Sequence, residues 1–123
     1  MNRAVIDTNI LIGWYKMGAI SNNDDLDNVA PVFSIITKME ALGFQEITEV
    51  ETRAINKMLD TGELAYIDGD IAKQTINLRQ KYRIKTPDAI IAATALVNNS
   101  ELWTVNTSDF SSIEGLKLHN PLK

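Results

Sequence analysis

Four acidic residues, Asp7, Glu40, Asp88 and Asp109, stand where apolar segments give way to a turn or a helix start. A carboxylate at the end of a buried element is costly unless something cationic offsets it. The surrounding words are ValIleAsp7ThrAsn9, Ser34IleIleThrLysMetGlu40, Thr86ProAsp88AlaIleIle and Thr104ValAsn106ThrSerAsp109Phe. Brought together, four such acids make an all-oxygen site suited to Mg²⁺ or Mn²⁺, a setting in which phosphodiesters can be hydrolysed. Each acid also has a plain structural explanation. Asp7 suits a helix cap, and Glu40, three residues after Thr37, suits a capping box. Asp88 suits a helix first turn after a Thr86 cap and Pro87, and Asp109 suits a turn.

The elements that must position them follow from apolar patterning. Ala4 to Ile6 reads as a buried strand, followed by a helix through Ile10 to Tyr15. After a polar loop over Ser21 to Asn28, Pro31 precedes a second strand, ValPheSerIleIle, and Thr37 opens a helix through Leu42. Thr48 with Glu51 forms a capping box for a helix carrying Val50, Ala54, Ile55 and Met58, stopped by Gly62. Residues 64 to 67 read as a third strand, and Ile71, Thr75, Leu78 and Tyr82 line one face of a helix. Pro87 begins a helix that is apolar nearly all round and therefore central. Residues 102 to 105 read as a fourth strand, and LeuLysLeuHis near the end as a fifth. Strands alternating with helices imply parallel βαβ units. The expected fold is α/β, a three-layer α/β/α sandwich with a short, mainly parallel sheet, formed by residues 1–123 as one domain. Open parallel sheets bind ligands beyond the carboxyl ends of their strands, where all four acids are expected to fall.

Composition narrows the chemistry. The chain of 123 residues is 45% hydrophobic and 23% charged, with no cysteine and one histidine, His119. Disulfides, zinc–thiolate sites, cysteine nucleophiles and paired-histidine nucleases are thereby excluded. A net charge of −4 argues against broad non-specific nucleic-acid binding, although a bound cation would reverse the sign locally. Asp7 and Asn9 interrupt the apolar start, which argues against a signal peptide. No apolar run reaches the roughly 18 residues of a membrane span, so a cytoplasmic protein that does not engage a membrane is expected.

The words themselves resemble those of the PIN-domain family, specifically the small VapC-type toxins of bacterial toxin–antitoxin pairs. IleAspThrAsnIleLeuIle is similar to the family's opening motif, and SerIleIleThrLysMetGluAlaLeuGly to its second. ThrProAspAlaIleIleAlaAlaThrAlaLeu is similar to its third, and LeuTrpThrValAsnThrSerAspPhe with IleGluGlyLeuLysLeu to its last. The resemblance spans nearly the whole chain. It implies a metal-dependent endoribonuclease using Mg²⁺ or Mn²⁺, with Asp7, Glu40, Asp88 and Asp109 as catalytic metal-binding acids and Asn9, Thr104 and Asn106 in support. Asp7 and Asp88 would hold the principal cation, and the products would carry a 5′-phosphate and a 3′-hydroxyl. RNA as substrate, a cognate antitoxin and a homodimer are the partners it implies. Val105 stands where the family commonly has a basic residue.

Arg79, Lys81, Arg83 and Lys85 crowd the approach to Asp88, with Arg79 and Arg83 expected on one helical face. They are candidate phosphate contacts or a solvated helix end. Trp14 and Tyr15 suit core packing, a partner interface or base stacking equally. AspAspLeuAsp (24 to 27) lacks the glycine and terminal glutamate of a calcium loop. Two other classes fit less of the pattern. A haloacid-dehalogenase-type phosphatase wants an acid where Asn9 stands, and a catalytically silent binding module has no need of all four acids.

Overall fold

The computed structural model describes residues 2–17 and 28–121. The expected loop over Ser21 to Asn28, apart from Asn28 itself, and the AspAspLeuAsp segment lie outside them. In chain order the elements are β1 (Asn2–Ile6), α1 (Thr8–Met17), β2 (Val29–Ser34), α2 (Ile35–Leu42), α3 (Glu49–Leu59), β3 (Glu63–Ala65), α4 (Gly69–Lys81), α5 (Thr86–Val97), β4 (Glu101–Trp103), α6 (Thr107–Phe110) and β5 (Leu118–His119). The strands form one sheet in the order β3-β2-β1-β4-β5, and every pairing is parallel.

Alternation along β1 builds the layers, because successive side chains of a strand face opposite sides. Ala4 and Ile6 join a cluster with Ile10, Leu11 and Trp14 of α1, Ala41 of α2 and Ile55, Met58 and Leu59 of α3. Val5 faces the other way, into a cluster with Ile71 and Leu78 of α4 and Ile90 to Ala93 of α5. The three-layer α/β/α sandwich is therefore the observed fold. Helix α5 is buried from Ala89 to Ala95, as its all-round apolar sequence requires.

Several boundaries differ from the sequence expectation. Helix α2 starts at Ile35, not Thr37. Ser34 is its extended N-cap, with its hydroxyl accepting from the Ile36 N–H at 3.1 Å. Thr37 sits in the first turn with its side chain fully buried, so it does not form a capping box with Glu40. The strand before it runs through Pro31, which is tolerated because β3 joins β2 only from Val32 onward. Helix α3 does carry the Thr48–Glu51 capping box, but it ends at Leu59, before Gly62. Gly62 instead marks a close approach: a Cβ there would clash with the Pro31 carbonyl oxygen. Helix α5 starts at Thr86 with Lys85 before it, so Thr86 is its first residue and makes no cap bond. Strands β3 and β4 are each three residues long and begin one residue earlier than expected.

Candidate functional site

Strand order places the site. β1 is central, its chain leads through α1 to β2 on one side, and β4 lies on the other side. Connections therefore diverge between β1 and β4, and their carboxyl ends are where an open parallel sheet of this order offers a crevice to ligands. Asp7 follows β1 directly, with its N–H donating to the Trp103 carbonyl at 3.0 Å. Thr104 is the first residue after β4. Its hydroxyl donates to Asp7 Oδ2 at 2.8 Å and accepts from the Asn106 N–H at 3.0 Å. Asp7 Oδ1 accepts from the Thr8 N–H at 2.8 Å. Both Asp7 oxygens are thus fixed, one by the residue that follows β4 and one by the first residue of α1.

Glu40 is one turn along α2 and solvent-exposed; its Oε1 accepts from the Thr8 hydroxyl at 2.7 Å. Asp88 lies in the first turn of α5, half-buried. Asp109 lies in the short helix α6, exposed, with its N–H donating to the Asn106 carbonyl at 3.0 Å.

Electrostatics ties the four together. Burial pushes the Asp7 carboxyl above the usual carboxylate range, against the Thr104 and Thr8 hydrogen bonds, and the charges of Asp88 and Glu40 push it the same way. Burial also raises Asp88, followed by the charges of Glu40 and Asp109, with Lys85 opposing. Among the described residues none of the four acids is in an ion pair. As the side chains stand, no three of the described carboxylates or imidazoles converge tightly enough to hold an ion. The donor set is nonetheless what a hard divalent cation takes: carboxylate oxygens in mutual repulsion, held partly out of water.

The supporting residues divide. Thr104 holds Asp7 directly. Asn106 contributes its backbone, through the N–H to Thr104 and the carbonyl to Asp109, and its side chain makes no cap bond. Asn9 Oδ1 is buried without a partner on the first turn of α1, two residues after Asp7. An acceptor held dry in this way is suited to a donor or cation brought in by a ligand.

The basic residues are less unified than their spacing suggests. α4 ends at Lys81 and Tyr82 is extended (φ −127°, ψ 155°), so Arg79 and Arg83 do not share a helical face. The Arg79 Nε donates to the Ile84 carbonyl at 3.4 Å. Lys81 lies 3.6 Å from Glu114 and over the Tyr82 ring. Lys85 acts electrostatically on one of the four acids, Asp88.

Trp14 is core. It is 1% exposed and meets Trp103 edge-on with ring centroids 6.2 Å apart. Tyr15 is half-buried and, with Ile12, Lys16, Glu40 and Phe44, lines a cavity of about 230 Å³. Val105, in the place of the family's basic residue, is 38% exposed.

Three contacts had no signal in the sequence. Thr8 bridges Asp7 and Glu40, its hydroxyl lies 3.3 Å from that of Thr37, and the Tyr82 hydroxyl accepts from the Glu114 N–H at 3.1 Å, tying the end of α4 to the segment after Asp109. All three join residues about thirty positions apart, beyond what local spacing can reveal.

A parallel α/β/α sandwich with acids gathered at the switch between β1 and β4 defines a class of protein, and sequence comparison gives that class its family. Residues 4–116 match the PIN domain family, and the chain belongs to it. Ribonuclease VapC1 of Methanocaldococcus jannaschii is 28% identical over 127 residues, taking in 97% of this chain and 88% of that protein. A chain in a toxin–antitoxin complex from Klebsiella pneumoniae is 33% identical, with a TM-score of 0.77 and 98% of each chain covered. The structure of VapBC2 from Rickettsia felis, bound to a DNA fragment from their promoter, contains a chain matching at TM-score 0.86 and 22% identity, covering 96% of this chain and 98% of that one. At that identity the likeness concerns the fold. Among the described residues no helix is long and apolar enough to cross a membrane.

Proposed function

We propose that this protein is a divalent-cation-dependent endoribonuclease, the toxin of a toxin–antitoxin pair, working in the cytoplasm. The observation that carries the reading is the Asp7 carboxylate, buried where β1 and β4 end, with both oxygens fixed and no cationic partner among the described residues, inside the field of Asp88 and Glu40. The naming of a relative as a ribonuclease and of another as part of a toxin–antitoxin complex supports the same reading.

Asp7 and Asp88 would hold the cation, with Glu40 and Asp109 completing its surroundings directly or through water, since Mg²⁺ keeps several waters. Bound there, Mg²⁺ or Mn²⁺ would polarise the phosphodiester and acidify an attacking water. Thr104 keeps Asp7 aimed into the crevice, while burial lowers the local dielectric and strengthens its attraction for a cation. Lys85, which acts on Asp88, would meet a substrate phosphate, with Arg79, Lys81 and Arg83 as outlying charges. Hydrolysis would leave a 5′-phosphate and a 3′-hydroxyl. A cognate antitoxin and a second copy of the chain are the expected protein partners.

Asp7→Asn and Asp88→Asn test the assignment. Each should abolish RNA cleavage and growth arrest while the circular-dichroism spectrum stays that of the parent. Full activity in either folded variant would contradict the assignment. A parent protein that binds neither Mg²⁺ nor Mn²⁺ in calorimetry would favour a catalytically silent binding module.

A further inference from the structure

We infer that the Thr8 hydroxyl, backed by Thr37, is a clamp that sets where the Glu40 carboxylate stands relative to Asp7. Its functional meaning rests on the reading of the four acids as a cation site; its geometry does not.

Thr8 serves two acids from one residue. Its N–H donates to Asp7 Oδ1 at 2.8 Å and its hydroxyl donates to Glu40 Oε1 at 2.7 Å. The second distance is ordinary for a hydroxyl donating to a carboxylate, a bond that the acceptor's charge makes stronger than a neutral one. The two carboxylates belong to different segments, Asp7 at the end of β1 and Glu40 on α2, and Thr8 spans them.

The clamp is stiff. Thr8 opens α1, where helical geometry fixes its backbone, and its branched Cβ restricts χ1. Behind it lies Thr37, fully buried, with its Oγ1 3.3 Å from the Thr8 Oγ1 and 3.5 Å from the Ile6 carbonyl. A hydroxyl has one proton to give. That of Thr8 goes to the charged acceptor, which leaves Thr37 to donate toward Thr8 or the Ile6 carbonyl. Thr37 and Glu40 are three residues apart on α2 and share a face. The hydroxyls thus tie the first turn of α2 to the first turn of α1 at the strand end that carries Asp7.

Something has to hold Glu40 there. It is exposed, on a long side chain with several rotamers, and its charge repels those of Asp7 and Asp88. Unrestrained, it would swing toward water. Holding it beside Asp7 before a cation arrives lowers the ordering cost of binding, as preorganisation does generally. Thr8 is therefore a positioning residue.

Calorimetric Mn²⁺ titration of the parent, Thr8→Val, Thr8→Ser, Glu40→Gln and the Thr8→Val/Glu40→Gln double variant tests this. Thr8→Val should weaken Mn²⁺ binding about tenfold, in the range of lost outer hydrogen bonds, and Thr8→Ser should restore most of it. On the Glu40→Gln background Thr8→Val should add little. Parent-like affinity in folded Thr8→Val, or losses that simply add, would overturn the clamp. If the parent binds no Mn²⁺, the cation reading falls, and metal-free melts of Thr8→Val, Glu40→Ala and their double variant decide the clamp alone. Non-additive melting temperatures would uphold it and additive ones would overturn it.

Discussion

The Thr104 hydroxyl donates to Asp7 Oδ2 at 2.8 Å across 97 residues of sequence, with both side chains buried. The bond spans the point where β1 and β4 pair in parallel, just beyond the Ile6–Trp103 register. It makes the crevice a consequence of the sheet itself: the strands that form the core also set the orientation of the acid.

Thr104→Val keeps the shape and removes the donor. The buried carboxylate then loses one of its two fixed partners and the Asn106 N–H loses its acceptor. A stability loss of about 1–3 kcal/mol is expected, measured by denaturant unfolding, together with weakened Mn²⁺ binding. Thr104→Ser should recover both. A Thr104→Val protein as stable as the parent would show that Asp7 does not depend on this bond.

Asp88 is held above the usual carboxylate range by burial and by the charges of Glu40 and Asp109. A group whose pKa is raised by folding contributes stability that is present below its unfolded pKa and lost as pH rises through its folded one. At neutral pH the ionised Asp88 therefore burdens the metal-free protein. Asp88→Asn should melt at or above the parent temperature near neutral pH, and the advantage should vanish in acid. The variant should also lose the stabilisation that Mn²⁺ confers on the parent. Melts across the acid-to-neutral range, with and without Mn²⁺, check both points; a metal-free Asp88→Asn that melts well below the parent at neutral pH contradicts the sign.

The same elevation at Asp7 and Asp88 makes protons competitors for the cation. Mn²⁺ affinity should fall as pH drops through and below the raised pKa values, with proton release on binding near them. Calorimetry in buffers of different ionisation enthalpy measures the released protons. A pH-independent affinity with none released would mean that neither acid takes part.

Lys85 lowers the Asp88 pKa, whereas Lys81 is occupied by Glu114 and the Tyr82 ring. Lys85→Ala should weaken RNA binding and reduce its salt slope by about one. Lys81→Ala should do less. Equal losses would assign the basic cluster a diffuse role.

Much of this was legible in the sequence, for identifiable reasons. The run through Ala89 to Ala95 reads as a central helix because it is apolar nearly all round, and ValIle before Asp7 reads as the end of a buried strand. The four acids fell at strand ends and helix starts because apolar runs stop there. Thr37 carries a misleading signal, because a threonine three residues before a glutamate satisfies the capping-box pattern. Ser34, already extended at the end of β2, took the cap, and the Thr37 hydroxyl turned inward. Arg79 and Arg83 have helical spacing, but the chain turns extended after Lys81 and separates them. Trp14 could suit surface or core until Trp103 was seen against it. The bonds of Thr8 to Glu40 and Thr104 to Asp7 join segments far apart in the chain and leave no trace in local spacing.

Cleavage of a structured RNA by the purified protein, with Mn²⁺ or with a chelator and with Asp7→Asn prepared in parallel, bears most heavily on the cation-dependent nuclease. Cleavage giving 5′-phosphate ends, present with Mn²⁺ and absent both with chelator and in folded Asp7→Asn, is expected. Cleavage that persists in chelator or in Asp7→Asn, or no cleavage of any RNA by a parent that binds the cation, would contradict it.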